Sequence, residues 1–145
     1  MPEITITAQV PAQTSAVFTH VTAFPAQGEP DARQLESRYG RLESQDGQDF
    51  IFCSTNSEGV ESRLLYIFSP PHQREMRHLD SDWADRTDTF VQNPNGTEWN
   101  ITWQPKSKGA PFLIRWLFFR WKDRQRLYDQ IMQPVVDHFQ TQDFY

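Results

Sequence analysis

Asn93-Pro94-Asn95-Gly96-Thr97-Glu98-Trp99-Asn100-Ile101-Thr102-Trp103 carries the clearest structural signal in the chain. Its first four residues are turn chemistry: proline presets φ, while asparagine and glycine tolerate the left-handed region. From Thr97 onward the pattern alternates. Thr97, Trp99, Ile101 and Trp103 fall on one side, and Glu98, Asn100, Thr102 and Gln104 on the other. A period of two marks a strand with one dry face, so both indoles are expected to point inward. The run before the turn, Asp85–Gln92, has similar length, and the pair reads as an antiparallel hairpin.

The same rhythm extends upstream. Tyr39–Ser44 and Gln48–Ser54 flank Asp46-Gly47, a strong hairpin signal; Asn56–Gly59 precedes Glu61–Phe68, and Pro70-Pro71 precedes Arg74–Leu79. Connections this short build an antiparallel meander, because parallel crossovers take a dozen residues or more. At the start, Ile4, Ile6, Ala8 and Val10 alternate with polar residues until Pro11 closes the strand. Thr14–Val21 follows as a short helix with Val17, Phe18 and Val21 on one face. Ala26–Leu35 is a polar connection with room for a helical turn.

From about Pro111 the period changes to that of a long helix, with Leu127, Ile131, Val135 and Phe139 continuing a stripe begun at Leu113, Trp116 and Leu117. Pro134 removes an amide donor inside it and predicts a bend or restart. The stripe must be buried, and the apolar face of the sheet is the available partner. The expected architecture is α+β: a curved antiparallel sheet wrapped around a long C-terminal helix, with residues 1–145 forming one domain.

Composition narrows the function classes. Hydrophobic residues at 37% and charged residues at 23% fit a globular chain, neither disordered nor membrane-embedded. A formal charge of -5 argues against a nucleic-acid partner. The single cysteine, Cys53, excludes an intramolecular disulfide framework and a cysteine-rich zinc site, and reads as a small core residue. The four histidines lack ligand spacing, and no phosphate loop, nucleophile elbow or dinucleotide fingerprint occurs, so no metal and no cofactor are expected. Apolar runs are too short for stable membrane insertion, and no leader-like segment opens the sequence, which points to the cytoplasm.

This order of elements resembles the START-like (SRPBCC, helix-grip) superfamily, which includes polyketide cyclase/dehydrase and lipid-transport proteins. The resemblance spans nearly the whole chain. It rests on Ile4–Ala12 leading to Ala16-Val17-Phe18, on Asn93–Trp103 entering the last long strand, and on the terminal Pro111–Phe139 helix. Phe24-Pro25 stands where relatives often carry Trp-Pro. The resemblance implies a pocket between helix and sheet for an apolar ligand, in some members with catalysis.

Within that frame, Trp99 and Trp103 are candidates for the cavity wall, or for simple packing against the helix. Tyr66 presents its hydroxyl either to the cavity or to a buried carbonyl. Arg74, Met76 and His78 share a strand face, and His78 is a candidate for acid–base work, for ligand orientation or for a structural hydrogen bond. Trp116 belongs to the basic-aromatic run Arg115–Lys122, suited to a cavity mouth, to core packing or to a homodimer contact. Asp80, Asp82, Asp85 and Asp88 lack the glycine and glutamate of a calcium loop and read as a solvated acidic loop. Should Asp88 instead point inward, beside Arg86 on its strand face, burial would raise its pKa and make it a base. The leading expectation is binding of a hydrophobic or amphipathic small molecule between sheet and helix. The alternatives are a cyclase- or dehydratase-type enzyme using acid–base catalysis, and a structural or dimeric protein whose aromatics fill its own cavity.

Overall fold

The computed structural model describes residues 3–80, 84–105 and 124–142. Strand β1 (Ile4–Val10) is followed by helices α1 (Thr14–Thr22) and α2 (Ala32–Tyr39). Six strands come next: β2 (Arg41–Asp46), β3 (Asp49–Thr55), β4 (Glu61–Ser69), β5 (Gln73–His78), β6 (Asp85–Asn93) and β7 (Gly96–Gln104). The C-terminal helix comprises α3 (Arg124–Leu127), a π-helical turn (Tyr128–Met132) and α4 (Gln133–Gln142). Asp82, Trp116 and the expected helix start at Pro111 lie outside the described residues.

The strands form one antiparallel sheet in the order β1-β7-β6-β5-β4-β3-β2. Strands β2 to β7 are the expected meander, and β1 closes it by pairing with β7, with Ile6 opposite Ile101 and Ala8 opposite Trp99. Because β1 and β2 occupy opposite edges, the chain between them has to cross a sheet face, and α1 and α2 make that crossing. The fold is therefore the α+β arrangement expected, a curved sheet with its C-terminal helix packed against it.

Burial follows the alternation. Ile4, Ile6, Ala8 and Val10 of β1 and Thr97, Trp99, Ile101 and Trp103 of β7 all face the core. Met132, Val136 and Phe139 seal it from the helix side. At the β3–β4 end aromatic rings fill the space: Phe24 stacks on Phe68 with centroids 4.2 Å apart and meets Phe50 edge-on at 5.7 Å. Such pairs add to the burial of large apolar surfaces.

One local expectation changes, and another takes a specific form. Tyr39 ends a helix instead of starting a strand: Asp31 caps α2 by accepting from the Arg33 amide at 3.0 Å, and Gly40 alone (φ 106°) turns the chain into β2. The restart expected at Pro134 takes the form of a change from a π-helical turn to α4 at Gln133. The Gln133 amide bonds back to the Tyr128 carbonyl in the π-helical turn, and Pro134 then sits in the first turn of α4, where a missing amide is tolerated.

At Gly96 the end of β1 comes too close for a side chain. The glycine φ is 128°, and a Cβ there would lie 2.2 Å from the Val10 carbonyl oxygen, a backbone atom that cannot rotate away. Gly96→Ala is expected to cost about 2 kcal/mol, read as a lower urea midpoint at unchanged slope. An unchanged midpoint would show that the end of β1 can lift from β7 freely.

Candidate functional site

The β5–β6 register sets Arg74 opposite Asp88 and Met76 opposite Arg86, while the β6–β7 register sets Phe90 opposite Trp99. Phe90 is an inward anchor, so period two brings Asp88 and Arg86 to the same inner face. Asp88 is 0% exposed, where an unpaired carboxylate costs several kcal/mol. Its neighbours offset that cost. Arg86 donates through Nε at 2.8 Å and Nη2 at 3.0 Å, Trp99 donates through Nε1 at 3.0 Å, and Arg74 Nη2 lies 3.1 Å away.

Burial alone would push the Asp88 pKa up. The charges of Arg74 and Arg86, with the hydrogen bonds from Arg86 and Trp99, outweigh it and hold the carboxyl below its ordinary value. This corrects two expectations. Asp88 is no part of a solvated loop, and it is no burial-raised base, because its oxygens are occupied by cationic and indole donors. Asp80 does sit in an exposed turn, where it accepts from the Arg63 amide at 3.0 Å.

The network continues into the helices. Arg74 Nη1 donates to the Tyr39 hydroxyl at 3.0 Å, and that hydroxyl donates to the Thr22 carbonyl at the end of α1. Arg74 is 5% exposed, and its Nε is buried without an acceptor. Burial works against its charge, but Asp88 and then Tyr39 overcome it and raise its pKa above the ordinary arginine value. A single chain of polar contacts thus links α1, α2, β5, β6 and β7.

Beside this network lies a cavity of about 440 Å³. The sheet contributes Tyr66, Arg74, Met76, Arg86 and Trp99. Val21 and His20 close it from α1, Arg38 and Tyr39 from α2, and Ile131 and Val135 from the C-terminal helix. Burial raises the Tyr66 pKa, so its phenol stays protonated at neutral pH and can donate a hydrogen bond. His20 stacks on His138 with centroids 4.1 Å apart; its limited burial, then His138 and Arg38, lower its pKa and keep it neutral near pH 7.

Of the residues singled out from sequence, Tyr66, Met76 and Trp99 therefore meet at one cavity. Trp103 is 8% exposed and lies under the Arg86 guanidinium, 5.7 Å from ring centroid to Cζ, outside the described lining. His78 stands at the far end of β5 opposite Leu64, also outside that lining. Trp116 falls outside the described residues. Cys53 is buried, as a core residue should be. Sequence reasoning passed over Arg38, Tyr39, Arg86 and His20 as cavity residues. Phe90 offered a signal for Arg86, since it fixes the phase of β6; the other three sit on helices whose packing a one-dimensional pattern does not specify.

No family model matches the chain, and no curated protein matches it. Solved structures do. A protein of Nitrosomonas europaea superposes with a TM-score of 0.55 at 9% identity, covering 99% of this chain and 97% of that one. The di-domain ARO/CYC StfQ from the steffimycin biosynthetic pathway matches at a TM-score of 0.57 and 11% identity, over 97% of this chain and 51% of that one. The di-domain ARO/CYC BexL from the BE-7585A pathway matches at 0.55 and 10%, over 95% and 50%. This chain thus spans about half the length of each di-domain protein. At these identities the likeness is one of fold: a curved antiparallel sheet around a long C-terminal helix.

Proposed function

We propose that the chain binds an amphipathic small molecule in the cavity between the sheet and the C-terminal helix, with Tyr66, Met76 and Trp99 in the cavity wall. The observation that carries this reading is the cavity itself. Its volume of about 440 Å³ lies within the ~300–1,000 Å³ of small-molecule sites. Val21, Ile131 and Val135 offer apolar contact on the helix side, and Tyr66, Arg74 and Arg86 offer donors on the sheet side. One end of the ligand is apolar and the other accepts hydrogen bonds. A cytoplasmic setting goes with this reading. Among the described residues no helix is long and apolar enough to cross a membrane.

The test is titration with a neutral apolar fluorophore, N-phenyl-1-naphthylamine. Saturable one-to-one binding is expected, and Val135→Trp, which fills the cavity from the helix side, should weaken it at least about tenfold, or about 1.4 kcal/mol. Equal binding by a folded Val135→Trp protein places the probe elsewhere. Ile131→Phe is the second variant should the first fail to fold.

The cyclase- or dehydratase-type alternative has one observation in its favour: His20 faces the cavity and is neutral near pH 7, as a proton acceptor must be. It is also the fold of two proteins described as ARO/CYC. Under this alternative the base is His20, since Asp88 is held ionised, below its ordinary pKa, by Arg74 and Arg86 and so is a poor proton acceptor.

A further inference from the structure

Resting on the binding reading above, we infer that the polar end of the ligand is an anion, specifically a carboxylate on an apolar body, received between Arg86, Arg74 and Tyr66 with Arg38 at the rim. The argument is a charge count at one place. Three guanidinium groups line the cavity: Arg74, Arg86 and Arg38. Among the described residues, the carboxylate that answers them is Asp88 alone, and it touches only the first two.

Asp88 cannot balance both. Its Oδ1 takes Arg86 Nε, and its Oδ2 is shared by Arg86 Nη2, Arg74 Nη2 and Trp99 Nε1. One positive charge is left over in the pair before Arg38 is counted. Arg38, exposed at the rim, gives Nη2 to the Val21 carbonyl at 2.8 Å, a neutral acceptor. Glu75 pairs with Arg77, and Glu36 accepts from the Leu42 amide.

Donors are in surplus as well as charge. Arg74 Nε is buried with no acceptor, in a side chain more than nine-tenths buried. A buried donor left unsatisfied is costly, and cavities rich in donors but poor in acceptors favour ligands made of acceptors. The Tyr66 phenol adds a neutral donor on the same wall. A planar carboxylate matches a guanidinium fork, which a lone hydroxyl or a carbonyl does only in part. An ammonium head would meet like charge. On the opposite wall, Ile131 and Val135 leave room for a hydrocarbon body.

The experiment compares three probes with the same chain, decanoate, 1-decanol and decylamine, titrated into the full protein below their aggregation limits. Decanoate should bind at least about tenfold more tightly than 1-decanol, the scale of a hydrogen bond to a charged partner, and decylamine most weakly. Arg86→Gln should cut the preference for decanoate over 1-decanol several-fold, with decanoate losing far more affinity than 1-decanol, and Arg86→Lys should keep more of the preference than Arg86→Gln does. Arg38→Gln, distant from Asp88, gives the same reading on a smaller scale should Arg86→Gln not fold. Equal affinity for acid and alcohol would overturn the anion assignment and leave the binding reading intact. No binding by any of the three overturns both.

Discussion

Asp88→Asn should lower stability by about 3–5 kcal/mol, a large part of the ~5–15 kcal/mol that holds most domains together. The substitution keeps the shape and removes one charge. Arg86, partly exposed, can turn toward water once its partner is neutral, but Arg74 is 5% exposed and cannot. The cost is therefore that of a buried guanidinium with no counter-charge. Replacing Arg74 by Met in the same protein should return a substantial share of the loss, since the stranded charge is gone; the double-mutant cycle measures this coupling. The pH dependence has a definite sign. The folded pKa of Asp88 lies below its ordinary value of 3.8, so the stabilisation is complete above that value and is lost as pH falls through it toward the folded pKa. The gap between parent and Asp88→Asn should narrow over that acid window. A cost below about 1 kcal/mol at neutral pH would mean that Arg74 is solvated despite its depth.

The same residue shows how far a one-dimensional pattern reaches. β1 and β7 are legible because each has one dry face and one wet face, which alternation records residue by residue. Helix α2 is not, because it buries only Leu35 and Tyr39 in eight residues, too few to impose a period. The terminal helix is legible as a helix, but its expected stripe meets the buried seam only at Phe139. The stripe at Ile131 and Val135 is half-buried and borders the cavity, while Met132, Val136 and Phe139 make the dry seam. The π-helical turn rotates the helix between the two halves of the pattern, so a strict helical period drifts across it. Cross-strand register explains the rest. That Arg74 meets Asp88 follows from which residues of β5 and β6 are paired, and turn length and packing set that pairing. The sequence offers Asp88 as an inward candidate and Arg74 on one face with Met76, but not the pairing of the two.

Trp99→Ala is expected to cost about 3–5 kcal/mol, and so to act on the fold before it can act on a ligand. The indole is 1% exposed, lies parallel to Phe90 with centroids 6.1 Å apart, and donates to Asp88 Oδ2. Truncation removes apolar contact, opens a void against β6 and deletes a donor to an ionised acceptor, and these losses are not additive. Trp99→Phe separates them. It keeps an aromatic ring and loses only Nε1–H with part of the volume, at a cost of about 1.5–3 kcal/mol. In the Asp88→Asn background the hydrogen-bond share should shrink, because a neutral amide accepts more weakly than a carboxylate. Denaturant midpoints of the four proteins decide this. Were Trp99→Phe as destabilised in the Asn background as in the parent, Nε1 would contribute nothing to holding Asp88, and the inner face would be stabilised by packing alone. Probe affinity measured on Trp99→Phe then isolates the wall from the network. Retained affinity with lowered stability is the expected pattern, since the ring still borders the cavity after the donor has gone.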